Sequence, residues 1–131
     1  MKKEEKATIF NIGYQGSTGK NLIDTLKFAQ VTLLVDLREK PYSRMPDFNQ
    51  KRFKIALEKQ GIKYKWMGKV LGGFTCTKDM WLEGCDQLAI MSRSDTIAIM
   101  CMEADVMKCH RKKLTEFLGF FHGITNIDLK T

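Results

Sequence analysis

Two stretches, TLLVDL at residues 32–37 and TIAIMCM at residues 96–102, are apolar almost without interruption and too short to be buried helices. A strand covered on both faces reads this way, and such strands belong to parallel sheets sandwiched between helices. The rest of the chain keeps the matching rhythm. Strand-like runs TIFNI (8–12), IKYKWM (62–67) and TNIDL (125–129) alternate with helical stretches at about 18–29, 49–60, 79–91 and 109–121. Each helical stretch carries an apolar stripe: Leu22, Leu26 and Ala29; Phe53, Ala56 and Leu57; Trp81, Cys85 and Leu88; Leu114, Phe117, Leu118 and Phe121. The order βαβαβαβαβ predicts an α/β single-domain three-layer sandwich, a mainly parallel five-stranded sheet with right-handed crossovers and helices on both faces.

At 131 residues the chain can bury a core without a disulfide or a metal. Residues 1–7 are expected to form a flexible N-terminal tail and residues 8–131 the single domain. MKKEEK is followed by an apolar run too brief for an export signal. No apolar run approaches the roughly 18 residues of a membrane span, so no membrane partner is expected. Cys76, Cys85, Cys101 and Cys109, without an export signal, read as free thiols in a reducing compartment, which points to a cytoplasmic address. A formal net charge of +7 favours anionic partners, whether a small molecule or nucleic acid. The lysines and arginines read as spread along the whole chain, with no block of like charge.

Ligands of open α/β sheets bind beyond the carboxyl ends of the strands. Those ends carry GYQGS, DLREKPYSR, LGGFT and MEADVMKCHR. GYQGSTGKN fails as a phosphate loop because Tyr14 stands where the first glycine belongs and Asn21 replaces the hydroxyl residue. Gly13, Gly16 and Gly19 are wrongly spaced for a dinucleotide fingerprint, so no cofactor is expected. What survives is a helix start, capped by Ser17 or Thr18, whose N–H groups can receive an anion. Asp36 and Arg38 share a face by period two, as an internal ion pair or as a ligand clamp. Pro41 and Pro46 stiffen an arch that presents Tyr42, Ser43 and Arg44.

A phosphatase-type loop would place an arginine after Cys101 or Cys109 at the positions held by Val106 and Met107, or by Leu114 and Thr115. Neither fits. Pairs spaced for structural zinc are missing, so no metal is expected. If Cys109 opens the last helix, the helix dipole and Lys108, His110 and Arg111 favour its thiolate. Glu103 then serves as acid/base or holds an arginine, and Arg111 has the fork to bind an anion bidentately. Cys101 reads as a buried strand residue and His122 as a capping or packing residue.

Gly13-Tyr14, Asp36-Leu37-Arg38, Pro41-Tyr42-Ser43-Arg44, Phe48, Gly61-Ile62-x-Tyr64, Leu71-Gly72-Gly73, Cys101-x-Glu103 and Cys109-His110-Arg111 follow one another in order. The series resembles the domain of unknown function 488 family from Thr8 to the final strand. Gln15 stands where that family often has serine. The resemblance implies a compact α/β domain with a shared site built from these motifs, and brings no reaction with it.

Most of these motifs fall at strand ends, so they are expected to converge on one electropositive crevice. Gly13, Tyr14, Arg38, Ser43, Arg44, Gly72, Gly73 and Arg111 are the expected substrate-binding residues; Glu103, Cys109 and His110 are the expected catalytic ones. The function this predicts is a small enzyme acting on a nucleotide, nucleic-acid-derived or other phosphorylated compound. Two alternatives stand beside it: a nucleic-acid-binding module without chemistry, and a thiol switch joining Cys101 to Cys109.

Overall fold

The computed structural model describes residues 7–71, 77–102 and 111–131, with Arg111 known through its backbone alone. The elements are β1 (Thr8–Gly13), α1 (Gly19–Phe28), β2 (Leu33–Asp36), a 3-10 turn (Pro46–Phe48), α2 (Gln50–Lys59), β3 (Lys63–Trp66), α3 (Gly68–Leu71), α4 (Lys78–Met91), β4 (Ile97–Cys101), α5 (Arg111–His122) and β5 (Thr125–Asp128). The sheet order is β3-β2-β4-β1-β5, and all four neighbouring pairs are parallel.

The two apolar runs are the inner strands β2 and β4, buried along their length. Alternation splits their side chains between two cores. Ile97 and Ile99 of β4, with Leu33 and Val35 of β2, meet α3, α4 and α5 through Leu71, Leu88, Leu114 and Leu118. Ala98 and Met100, with Leu34, meet α1 and α2 through Leu22, Leu26, Phe53 and Leu57. Burying one such side chain is worth about 1.5–3 kcal/mol, so each face contributes enough to hold its helices. The outer strands β3 and β5 are mostly exposed, as edges that pair on one side only.

Thr18, rather than Ser17, caps α1 by accepting Asn21 N–H, and Thr77 caps α4 by accepting Met80 N–H. The connections from β2 to α2 and from β3 to α4 each contain a short element that the sequence periodicity did not reveal. Pro46 opens the 3-10 turn, where its fixed φ suits the first position and no N–H is needed. α3 has four residues, too few to show a helical stripe.

Parallel strands send the loops after β1, β2, β3 and β4 to one rim. α1 and α2 continue β1 and β2 on one face, whereas α5 continues β4 on the other. β4 therefore sits between two strands whose continuations depart to the opposite side, the arrangement that opens a crevice at the strand ends. No helix among the described residues is long and apolar enough to cross a membrane.

Candidate functional site

The rim is organised by the end of β2. Asp36 is fully buried, and its carboxylate accepts from the Arg38 backbone N–H at 3.0 Å, Arg38 Nε at 2.9 Å, Arg38 Nη2 at 2.7 Å and the Tyr64 hydroxyl at 2.6 Å. Arg38 Nη1 donates to the Phe48 carbonyl at 2.6 Å. The guanidinium lies 5.3 Å from the centre of the Tyr14 ring, which stacks on Phe48 at 4.5 Å. Burial opposes the charge on Arg38, but Asp36 and then the Tyr14 hydroxyl more than offset it, so its pKa is raised. Burial, followed by the Asp36 carboxylate, pushes the Tyr64 phenol well above its ordinary range.

The sequence left two partners open for Arg38, its own aspartate or a ligand; in the structure its side chain is 6% exposed and bonded to Asp36. Tyr14, 4% exposed, is likewise packed into this network. Both hold the arch between β2 and α2. Ser43 does so too, donating its N–H to Asn49 Oδ1 at 2.7 Å and accepting Met45 N–H on its hydroxyl. Arg44 differs: it is exposed, with no ion-pair partner among the described residues.

The start of α1, expected to receive an anion, has one from its own chain. Asp47 Oδ2 accepts Gly19 N–H at 3.3 Å, and a Cβ at Gly19 would come within 2.9 Å of the Asp47 Cβ. A carboxylate is stabilised there by the unpaired N–H groups and the helix dipole. Beyond β3, Trp66 Nε1 donates to the Arg38 carbonyl at 2.6 Å, over Gly68, whose missing Cβ leaves room for that bond.

Beside β4, Gly13 is buried in register with Cys101. Tyr14 N–H and Gln15 N–H continue onto the Cys101 and Met102 carbonyls, so β1 and β4 run on together past the strand ends. Cys101 is disulfide-bonded, against the expectation of free thiols. Whether a thiol is paired is decided by a second cysteine within reach, not by an expected compartment. Cys85 is free and buried in α4; burial, then Asp86, pushes its thiol up to about 12. Gly72, Gly73, Glu103, Cys109 and His110 lie outside the described residues, as does the side chain of Arg111, whose backbone opens α5. His122 closes α5 onto α4, with Nε2 at 3.2 Å from Asp86 Oδ1.

Two hollows lie away from this rim. One of about 840 Å³, lined by Thr8, Arg93, Asp95 and His122 among others, is at the opposite ends of the strands. A groove of about 460 Å³ runs between α1 and α2, flanked by Lys20, Lys27, Arg52 and Lys59. Charge is also less evenly spread than the sequence suggested. Residues 38–69 hold ten of the 22 Lys and Arg but three of the 15 Asp and Glu, a balance of +7 that equals the whole chain's. Summing charge over the chain hid this; summing it from the end of β2 into α3 reveals it.

Among known proteins, the model of the family described as Domain of unknown function DUF488 matches residues 18–81. That span covers the motifs from Asp36 to Gly73 and is shorter than the likeness read from the sequence. No curated protein and no solved structure matches the chain.

Proposed function

We propose that the chain, whose residues 18–81 match the DUF488 family model, is a small enzyme binding an anionic compound in the crevice beyond β4. The compound is a nucleotide, a nucleic-acid component or another phosphorylated molecule, and a cytoplasmic address goes with it. The strand order carries the reading: β4 is flanked by β2 and β1, whose continuations leave on the other face. Arg44 and Arg111 hold the anion, beside Gly72 and Gly73. Glu103 moves a proton or orients Arg111, and Cys109 or His110 is nucleophile or acid. Asp36, Arg38, Tyr14 and Ser43 position the arch that carries Arg44.

The test is a thermal-shift screen over nucleotides and sugar phosphates. A ligand present at about 100 times its Kd stabilises the native state by about 2.7 kcal/mol, roughly 10 °C for a domain of this size. The shift should shrink in Arg44→Gln/Arg111→Gln. No shift with any small anion, or a full shift in that variant, rejects the reading.

The disulfide at Cys101 favours a second reading, a thiol switch at the same rim. Disulfides in a reducing compartment are characteristically transient and regulatory. Mild oxidation of the reduced protein should remove two hydrogens from a peptide joining Cys101 to Cys109. A different partner, or no loss of mass, rejects the switch.

A further inference from the structure

The segment that holds the chain's charge excess folds as one border of the molecule: the arch after β2, the 3-10 turn, α2, the edge strand β3 and the start of α3. Of its ten cations, Arg38 is buried on Asp36 and the other nine are exposed. Lys63 pairs with Asp95 at 2.7 Å and Arg52 with Asp47 at 3.6 Å. The remaining seven, among them Arg44 on the arch, Lys51 and Lys54 on α2 and Lys65 on β3, have no ion-pair partner among the described residues.

An ordinary explanation covers part of this. Lysines on an open edge strand prevent it from pairing with another sheet, which accounts for Lys63 and Lys65. It does not account for α2 or the arch. A soluble surface also mixes its signs, whereas here the rest of the chain sums to zero charge and this border holds the excess of +7. Like charges brought together at a cost in self-repulsion fit a polyanion that relieves it.

Aromatic rings narrow the choice of polyanion. Tyr42, 67% exposed, stands between Lys40 and Arg44 in the sequence, and Trp66, 38% exposed, follows Lys65 in the edge strand. Trp66 is held by its bond to the Arg38 carbonyl, so its ring stays in place while part of it meets solvent. Free cations that neutralise phosphates, on a border that also exposes rings on which bases stack, are the chemistry of single-strand binding. A lipid surface fits less well, because α2 turns Phe53 and Leu57 inward and, Ile55 and Glu58 apart, presents lysine and arginine outward.

We propose that the α2–β3 border binds single-stranded nucleic acid by its backbone, with little sequence preference. It rests on the segregated charge and the exposed rings; Arg44 is shared with the crevice beyond β4, and the variants below leave it unchanged. Labelled oligothymidylate and oligouridylate, about 15 nucleotides long to span one site, report binding by fluorescence anisotropy. About five phosphate contacts give a log–log salt slope near −3.5, roughly a 100-fold loss of affinity between 50 and 200 mM salt. Lys51→Glu/Lys54→Glu/Lys65→Glu should weaken binding more than tenfold and cut the slope by about 2. Tyr42→Ala should weaken it about tenfold with the slope unchanged. Lys78→Glu/Lys112→Glu/Lys130→Glu makes the same charge change elsewhere and should leave affinity within about twofold. Lys51→Gln/Lys54→Gln/Lys65→Gln gives the same reading if the glutamate variant misfolds.

No binding at low salt overturns the proposal, as does an equal loss in the control variant. Equal affinity for polyglutamate or phosphatidylserine vesicles, lost in the same border variant, overturns the assignment to nucleic acid. The small-anion screen tests the crevice on its own, so the two can fail independently.

Discussion

Replacing Arg38 by leucine separates support from ligand binding. The guanidinium makes two bonds to Asp36 and one to the Phe48 carbonyl, and its side chain is 6% exposed, so solvent screens little of the interaction. Its removal leaves Asp36 buried with only the Arg38 N–H and the Tyr64 hydroxyl. Breaking a buried pair from one side costs about 3–5 kcal/mol, because the surviving charge is uncompensated. With a urea m-value of about 2 kcal/mol/M, the unfolding midpoint should fall by about 2 M. Asp36→Leu/Arg38→Leu removes both charges and should recover about 2 kcal/mol of that loss, a coupling the double-mutant cycle reads directly. A ligand clamp behaves the other way: its loss abolishes binding and spares stability. A loss below about 1 kcal/mol in Arg38→Leu, or no recovery in the double variant, would refute the supporting role.

Three further outcomes follow from the same geometry. Gly68→Ala would drive a Cβ into the Arg38 carbonyl and the Trp66 indole nitrogen, and should cost about 3 kcal/mol in urea unfolding; a cost under 1 kcal/mol would mean that the contact gives way freely. Tyr64 has a pKa raised above 10.0 by burial and then by Asp36, so the native state keeps a proton that the unfolded chain releases. Stability should therefore fall as pH rises past 10, and Tyr64→Phe should flatten that fall while costing about 1 kcal/mol at pH 7; parallel curves would contradict it. Cys85, its thiol at about 12 and buried, should resist iodoacetamide at pH 8 until urea unfolds the chain; rapid labelling of the native protein would show that α4 opens.

The layered fold was legible because burial on both faces writes continuous apolar runs, and β2 and β4 are those runs. The 3-10 turn and α3 were not, since three or four residues cannot display a period. Period two correctly put Asp36 and Arg38 on one face. What decided between pair and clamp, the Tyr64 hydroxyl and the Phe48 carbonyl, comes from residues 28 and 10 positions away. The same distance problem hid Asp47 at the start of α1. Local chemistry can propose an anion site, but a distant carboxylate can already fill it.

Taking Arg38 away from the ligand strengthens the case for its neighbours. Through Asp36 and Tyr64 the network ties the end of β2 to β3, through Phe48 it ties the arch to the start of α2, and through the Arg38 carbonyl it fixes Trp66. The arch with Tyr42 and Arg44 and the edge with Lys65 and Trp66 are thus held on one frame. Ordering them in advance lowers the entropy lost when a flexible ligand docks, which is how a buried ion pair can favour binding without touching the ligand. Asp36 and Arg38 then act as positioning residues for a site whose contacts are made by exposed groups around them.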